Sequence, residues 1–298
     1  MFRKLACSIA FFVFLAVHVQ ANTILRFGIL PVIDTLPLQV AVKEGYFAEQ
    51  GLEVELVPFT SAMERNTAVH SGQLDGMFGD LIATLLLAEK GLPIHILTVS
   101  YHTQAELPMF GLVTSPALSS EALQSPLTVA ISKATIIEYL LTYIRELEGA
   151  RRFDYEPVEI KQMPIRLQML LTGRIDSALL PEPLLTLALS RGANLLATDQ
   201  SLSMPLTVLN LVGDQAAYSE PFLAAYAKAV NALNQSPEAY RLLMAETCRI
   251  PKALVSTFPI YTYPQPRQPT KAEVDQVQEW MLGKDLLKKR IPYARLVE

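Results

Sequence analysis

The sequence predicts an α/β fold made of two lobes of similar design. Strands alternate with helices over short connections from Leu25 to Val99, and the same alternation restarts at Leu127. This order is typical of a mostly parallel sheet covered by helices. A segment of the first half, residues 71–80, recurs in similar form at residues 172–181. The repetition indicates two lobes, with a cleft between them if their sheet edges face each other.

The repeat extends beyond these two segments. Sliding the chain along itself without a gap pairs Arg65 with Arg166, Gly72 with Gly173, Asp75 with Asp176, Leu86 with Leu187 and Gly91 with Gly192. Each segment is interpreted as a helix end, a glycine that stops the helix and a short buried strand. Asp80 follows the first of these strands and Glu182 the second. Open α/β sheets bind ligands at such strand ends, so both residues are candidates for a site.

Length and charge limit the possible functions. The chain has 298 residues, enough for two domains with substantial cores. Its formal net charge of -4 gives no basis for binding nucleic acid, because phosphates require a basic surface. A role towards small molecules is favoured.

The N-terminus is predicted to be a secretory signal at residues 1–21. Basic residues precede an apolar run over residues 5–19, and Val19 and Ala21 provide small residues at the positions that signal peptidase reads. Cleavage between Ala21 and Asn22 would release the mature protein into the periplasm. An uncleaved membrane anchor or a buried first helix is the alternative.

No cofactor and no metal are expected. Without the signal, Cys248 is the one remaining cysteine, and it is interpreted as a small buried residue. The four histidines show no ligand spacing; they are His18, His70, His95 and His102. Core or surface roles are favoured for those that remain in the mature chain.

The pattern of apolar residues and of Gly and Pro places the elements along the chain. The first half is predicted to contain strands at 25–30, 52–57, 75–79 and 94–99 and helices at 38–47, 61–70 and 81–90. The second half is predicted to contain strands at 127–131, 158–162, 175–180 and 206–212 and helices at 135–148, 164–173 and up to Gly192. Residues 109–114 are interpreted as an extended crossover.

The C-terminal part is predicted to be helical from Tyr218, with a last helix that begins at Thr270. The Tyr- and Pro-rich loop at 261–269 is interpreted as a surface connection. The predicted organisation is a discontinuous first lobe, 22–105 and 210–298, and a second lobe, 106–209. Two crossings between the lobes would form a hinge.

Five motifs in a fixed order carry a family resemblance. They are AVKEGYF at 41–47, GLEVELVPF at 51–59, SGQLD at 71–75, VAISK at 129–133 and LPEP at 180–183. The series resembles the solute-binding proteins of ABC importers in the nitrate, taurine, aliphatic-sulfonate and thiamine-precursor group, as far as about residue 213. The resemblance implies the type II periplasmic-binding-protein fold, with two Rossmann-like lobes joined by two crossover segments. It also implies closure on a small solute and delivery to a membrane permease.

The candidate solute contacts lie after predicted strands. They are Asp34, Thr35, Thr60, Ser61, Asp80 and Tyr101 in the first lobe and Ser132, Thr135 and Glu182 in the second. Asp34, Ser61 and Asp80 are equally suited to cap the helices that follow them. Ser132 and Thr135 open a helix after a buried strand, where hydroxyls and free N–H groups would hold an acidic group or a carbonyl oxygen.

Glu182 and Tyr101 also have a second interpretation. Glu182 is fixed between prolines and would accept from an amine or amide of the solute, or it is an exposed turn residue. Tyr101 would stack on a flat ligand, or it packs in the core. With Lys133 as the only obvious cation near the predicted cleft, a neutral or cationic nitrogen-containing solute is favoured over a small inorganic anion.

The leading hypothesis is a monomeric, non-catalytic receptor for one small solute. The alternative is an enzyme on the same fold, related to thiamine-pyrimidine or menaquinone biosynthesis. The first of these enzymes would carry a cysteine cluster, which this chain lacks, and both work in the cytosol. A transcription regulator would need a helix-turn-helix segment, and the N-terminus has an apolar run instead.

Overall fold

Two five-stranded mixed sheets organise the chain in the computed structural model, which describes residues 24–118 and 126–297. The predicted signal at 1–21 lies outside the described residues. The strands are β1 (Ile24–Ile29), β2 (Glu53–Pro58), β3 (Gly76–Gly79), β4 (Ile94–His102), β5 (Phe110–Thr114), β6 (Leu127–Ile131), β7 (Tyr155–Glu159), β8 (Ser177–Pro181), β9 (Asn194–Thr198) and β10 (Pro205–Val212).

Helices cover both sheets. They are α1 (Leu36–Lys43), α2 (Tyr46–Glu49), α3 (Ala62–His70), α4 (Leu81–Glu89), α5 (Ile136–Ile144), α6 (Met163–Leu171), α7 (Leu184–Ser190), α8 (Ser219–Gln235), α9 (Arg241–Thr247), α10 (Lys271–Gly283) and α11 (Ala294–Val297). Short 3-10 turns lie at Ile33–Thr35, Asp199–Ser201, Ala216–Tyr218, Pro237–Tyr240 and Lys252–Leu254. No helix in the described part of the chain has the length and apolar character needed to cross a bilayer.

The two sheets share one topology. The strand order is β2-β1-β3-β10-β4 in the first and β7-β6-β8-β5-β9 in the second. In each sheet one strand, β10 or β5, runs antiparallel to its neighbours, and the other paired strands are parallel. Each sheet with the helices packed on it is called a lobe below. The predicted two-lobe α/β fold is therefore confirmed, while the predicted residue boundaries of the lobes remain a prediction.

The sequence repeat has a structural basis at equivalent places in the two lobes. Gly72 and Gly173 follow α3 and α6 with φ of 72° and 69°, the left-handed region in which glycine ends a helix without strain. The carboxylate of Asp75 accepts from the backbone N–H of Arg26 at 2.8 Å. That of Asp176 accepts from Thr128 at 2.9 Å. Each repeated segment thus ends a helix and attaches the following strand to its neighbour.

Five details of the predicted structure were wrong. Strand β7 covers Tyr155–Glu159, three residues before the predicted 158–162. The helix expected at 38–47 is divided into α1 and α2 at Gly45, which has a φ of 74°. The helix after Thr135 ends at Ile144, before the predicted residue 148. Residues 109–114 contain β5, a strand hydrogen-bonded on both sides, where an extended crossover was expected. Strand β9 was not predicted.

The loop at 261–269 is not a simple surface connection. Tyr261 and Tyr263 are only 3% and 2% exposed. Their hydroxyls donate to the carbonyl oxygens of Pro108 at 2.7 Å and Ile33 at 2.9 Å. Because a tyrosine ring is apolar and its one donor finds a backbone acceptor, both side chains are buried despite the polar, Pro-rich sequence around them.

The start of α10 gives a first testable prediction. The hydroxyl of Thr270 accepts from the N–H of Glu273 at 3.2 Å, and the Glu273 carboxylate accepts from the N–H of Thr270 at 2.7 Å. We expect Thr270→Ala to lower the free energy of unfolding by about 1 kcal/mol, because one end of the helix loses its cap. Urea denaturation measures the change. Thr270→Ser keeps the hydroxyl and should match the parent protein; equal loss in both variants would contradict the capping argument.

Candidate functional site

A cavity lies between the two sheets, at the carboxyl ends of β1, β3, β6 and β8. Its polar lining consists of Asp34, Arg65, Asp80, Ser132, Thr135, Lys161, Arg166 and Thr207. Its apolar wall includes Leu30, Val32, Phe78, Phe110, Ile136, Ile137 and Met163. Both lobes contribute to it, so the predicted cleft is present, and it brings together Asp34, Asp80, Ser132 and Thr135 of the predicted contacts.

Asp80 connects the two lobes inside this cavity. One carboxylate oxygen accepts from the N–H of Ala83 at 2.7 Å and so caps α4. The other accepts from the N–H of Ile136, at the start of α5 in the second lobe, at 3.2 Å. Burial raises the pKa of Asp80, and the charge of Arg65 opposes that shift. The predicted cap is confirmed, and the same side chain reaches the facing lobe.

Two buried arginines line the cavity, and neither was among the predicted contacts. Arg65 and Arg166 occupy equivalent positions of the repeat, on α3 and α6, and are 1% and 0% exposed. Burial lowers the pKa of each guanidinium to about 10. Both are therefore cationic at neutral pH. The premise that Lys133 is the only cation near the cleft was wrong.

The two guanidinium groups have different partners. Arg65 donates to the side-chain oxygen of Asn66 at 2.8 Å, and the charge of Asp80 acts on it. Arg166 donates to the carbonyl oxygens of Ile160 at 2.8 Å and Leu179 at 3.2 Å and to the hydroxyl of Ser132. In the described ranges of the chain, no carboxylate forms an ion pair with Arg166. Arg166 is therefore a buried cation of the cavity whose described partners are neutral groups.

Asp34 is buried in the lining of the same cavity. It is 3% exposed, and one carboxylate oxygen accepts from the hydroxyl of Thr207 at 2.8 Å. Burial raises its pKa to about 6. No side chain caps the turn Ile33–Thr35 or the helix α1 after it. The alternative that Asp34 is a helix cap is wrong.

Ser132 and Thr135 shape the start of α5. Thr135 accepts from the N–H of Ile137 at 3.2 Å and donates to the carbonyl oxygen of Ser132 at 2.8 Å. Between them Ala134 has a φ of 53°, which is uncommon for a residue with a side chain. This tight turn directs the Ser132 hydroxyl to Arg166 and places the N-terminus of α5 at the cavity.

Three other predicted contacts lie outside this cavity, and their polar atoms have local partners. The hydroxyl of Thr35 donates to the carbonyl oxygen of Val32 at 2.7 Å. That of Thr60 donates to Glu64 at 2.7 Å. Ser61 accepts from the N–H of Glu64 at 3.2 Å, which confirms its predicted role as the cap of α3. None of these three residues is part of the described lining.

Glu182 and Tyr101 are also buried away from the cavity. The Glu182 carboxylate accepts from the N–H and the hydroxyl of Thr186, at 3.0 and 2.7 Å, and burial raises its pKa to about 7. At 2% exposure it is not a turn residue in solvent either. The ring of Tyr101 packs edge-on against Tyr261 and Tyr263, with centroids 6.1 and 6.2 Å apart. Core packing is therefore its role in the structure.

A groove of about 300 Å³ adjoins the cavity and opens to solvent. It shares Ser132, Thr135 and Lys161 with the cavity and adds Lys90 and Lys133 to its wall. Glu159 is the acidic residue of this wall. The approach to the cavity therefore has a surplus of positive charge. Within the described residues, no group of three or more His, Cys, Asp or Glu side chains is placed to hold a metal ion.

Two sheets of matching order around one polar cavity define the periplasmic-binding-protein fold. Residues 20–247 match the NMT1-like family, and the chain belongs to that family. Among curated proteins, no sequence matches the chain.

Solved structures show the same fold. The alkanesulfonate-binding protein SsuA of Xanthomonas axonopodis pv. citri, bound to MOPS, has a TM-score of 0.72 at 17% identity, over 93% of this chain and 99% of that chain. The ligand-binding component of an ABC-type import system from Staphylococcus aureus has 0.71 at 17%, over 93% and 97%. The periplasmic nitrate-binding protein NrtA of Synechocystis PCC 6803 has 0.62 at 14%, over 85% and 75%. These likenesses and the family match confirm the resemblance found in the sequence.

Proposed function

We propose that this chain is an extracytoplasmic solute-binding receptor of an ABC importer. It captures a small organic solute between its lobes and presents the closed form to a membrane permease. The observation that supports this most is the buried cavity whose Asp80 binds backbone groups of both lobes. In a hinged receptor, closure of the lobes completes the site, and solute binding therefore favours the closed conformation. The functions of the structural neighbours, which are import, sulfonate binding and nitrate binding, agree with it.

The charges in the cavity favour a solute with an acidic group. Arg65 faces Asp80, whereas Arg166 has carbonyl oxygens and a hydroxyl as its partners. A carboxylate or sulfonate would supply the missing negative charge, since a guanidinium forms strong paired hydrogen bonds with such groups. The apolar wall suits a small hydrocarbon body. Asp34 remains available to accept from a nitrogen on the solute, in keeping with the nitrogen-containing solute expected from the sequence.

An enzyme on the same fold has less support from this geometry. Proton transfer near neutral pH needs a free group that titrates there. Asp80 accepts from two backbone N–H groups. Asp34, with a pKa of about 6, is the lining carboxylate that could exchange a proton, and the described lining places no histidine or cysteine beside it. Arg65 and Arg166, the buried cations of the lining, do not exchange protons at neutral pH. Binding without conversion is the better account of the cavity.

A thermal-shift screen of the mature chain, residues 22–298, tests the proposal. The panel contains short alkanesulfonates, taurine, small carboxylates, nitrate, pyrimidines and amines. We expect an organic acid or sulfonate to raise the melting temperature by mass action, to bind with one molecule per chain in calorimetry, and to be recovered unchanged. A shift with uncharged or cationic compounds alone would overturn the solute class but not the receptor. Chemical conversion of a panel compound by the protein would overturn the proposal that the chain is a receptor.

A further inference from the structure

We propose that helix α5 is the latch that holds the two lobes closed, and that Glu138 is a positioning residue linking this latch to the turn beside the cavity. Helix α5 belongs to the second lobe, where it follows β6. Helix α10 belongs to the first lobe, where it packs against α4. The inference goes beyond receptor function, although its effect on affinity rests on that proposed function.

The contact between α5 and α10 is built from a specific set of groups. The indole N–H of Trp280 donates to the hydroxyl of Thr142 at 3.1 Å. The Trp280 ring packs edge-on against Tyr139, with centroids 5.2 Å apart. Tyr139 is 1% exposed, so this aromatic contact excludes water on the α5 side. Each of these contacts joins one lobe to the other and is lost when the lobes separate.

Glu138 joins this contact to the turn that borders the cavity. One carboxylate oxygen accepts from Lys284, beyond the end of α10, at 3.2 Å. The other accepts from the N–H of Ala134 at 2.7 Å. Ala134 is the turn residue with a φ of 53°, and it lies between Ser132, which contacts Arg166, and Thr135, which caps α5. One side chain thus fixes the turn and contacts the first lobe.

This arrangement couples the docking of α5 on α10 to the shape of the turn beside the cavity. In the closed form the ion pair and the hydrogen bond share the Glu138 carboxylate, so the turn keeps its shape while α5 is docked on α10. A contact made only in the closed form raises the closed population, and the apparent affinity for a solute rises by the same factor. The Lys284 partner is about half exposed, so the ion pair contributes less to the latch than the Trp280 contacts.

The first arm of the test needs no solute, because Trp280 is the single tryptophan of the sequence. Acrylamide quenching of its fluorescence and the radius of gyration from X-ray scattering are measured on the mature chain. We expect Thr142→Val and Lys284→Met to increase both quenching and radius. Arg145→Gln, an exposed change one residue beyond α5, is the matched control and should change neither. Unchanged quenching and radius in both latch variants would overturn the latch.

The second arm isolates the positioning role of Glu138. Glu138→Ala and Lys284→Met both remove the ion pair. Lys284→Met also removes the ammonium that lies 5.7 Å from the centroid of the Trp280 ring, whereas only Glu138→Ala releases the N–H of Ala134. Glu138→Gln keeps an oxygen that can accept from Ala134 and lacks the charge. With ethanesulfonate as the probe, we expect Glu138→Ala to lose about tenfold more affinity than Lys284→Met, and Glu138→Gln to match Lys284→Met.

The outcomes of the two arms separate the proposals. Equal affinity of Glu138→Ala and Lys284→Met would overturn the positioning role. If the parent protein binds neither ethanesulfonate nor any compound of the screen, the receptor proposal fails. In that case quenching and scattering still decide whether α5 is a latch.

Discussion

Arg166→Gln is expected to lower the affinity for an acidic solute by roughly 30-fold or more. The guanidinium is fully buried at the cavity and lacks a carboxylate partner, so the solute would be its counter-charge. Removing one partner of a buried, hydrogen-bonded charge pair costs about 2–5 kcal/mol, which corresponds to roughly 30- to 4000-fold in affinity. Isothermal titration calorimetry with the compound found in the thermal-shift screen measures the loss.

Two further variants make this result specific. Arg166→Lys keeps the positive charge but loses the planar guanidinium, whose paired N–H groups bind an acidic group. We therefore expect an affinity between that of the parent protein and that of Arg166→Gln. Ser132→Ala removes the hydroxyl that contacts Arg166 and leaves the guanidinium in place. It should cost less than Arg166→Gln, and it tests the same site if Arg166→Gln does not fold. Parent-like binding by Arg166→Gln would show that the acidic group of the solute does not pair with Arg166.

The fold was predictable from the sequence because its signals are local. Gly72 and Gly173 end their helices in the left-handed region, which few other residues adopt without strain. Ser61 and Asp80 cap the helices that follow them, as residues of their type do. These signals recur in both halves of the sequence, and the two sheets accordingly share one topology. Strand β9 was missed because it follows a glycine-ended helix without a clear alternating pattern.

The arginines of the site were not predicted as contacts because their direction depends on tertiary structure. Arg65 and Arg166 lie on helices, where an arginine usually points to solvent. The available signal was their pairing in the gap-free repeat, which marks them as equivalent but does not show that both point inward. Glu182 lies outside the cavity, although its place in the sequence indicated a solute contact. It follows a strand, as a ligand contact should, but Thr186 one helical turn later satisfies its carboxylate.

Buried carboxylates make the stability of this protein depend on pH in an unusual direction. Burial raises the pKa of Asp34 and of Asp199 to about 6 and that of Glu182 to about 7. In an unfolded chain these groups ionise near their ordinary values of 3.8 and 4.5. Between about pH 4 and 7 the folded state therefore holds more protons than the unfolded state. Stability is expected to fall as the pH rises through this window.

Other carboxylates act outside that window. Hydrogen bonds from Thr60 and the Arg241 side chain lower the pKa of Glu64 and Glu238, respectively, and the pKa of Glu273 is lowered by Arg267 against the effect of burial. Their stabilisation is present above their ordinary pKa and is lost only as the pH falls below it. The lowered pKa values therefore limit stability at low pH, and the raised pKa values of the buried acids limit it at higher pH.

Asp34→Asn should remove the part of this pH dependence that Asp34 causes. A shift of about two pKa units corresponds to about 3 kcal/mol, so the variant should be more stable than the parent protein by up to that amount at pH 8 and no more stable at pH 4. The amide oxygen can still accept from Thr207, whose hydroxyl also receives a hydrogen bond from Ser100 at 2.9 Å. Urea denaturation at intervals from pH 4 to 8 measures both proteins. Asp214→Asn, a change at an exposed carboxylate, controls for the loss of one negative charge. A difference between Asp34→Asn and the parent that stays constant across the range would show that burial of this charge is not the cause.

A solute whose nitrogen donates to Asp34 should lose affinity in the Asp34→Asn variant, because an amide carries no charge to attract it.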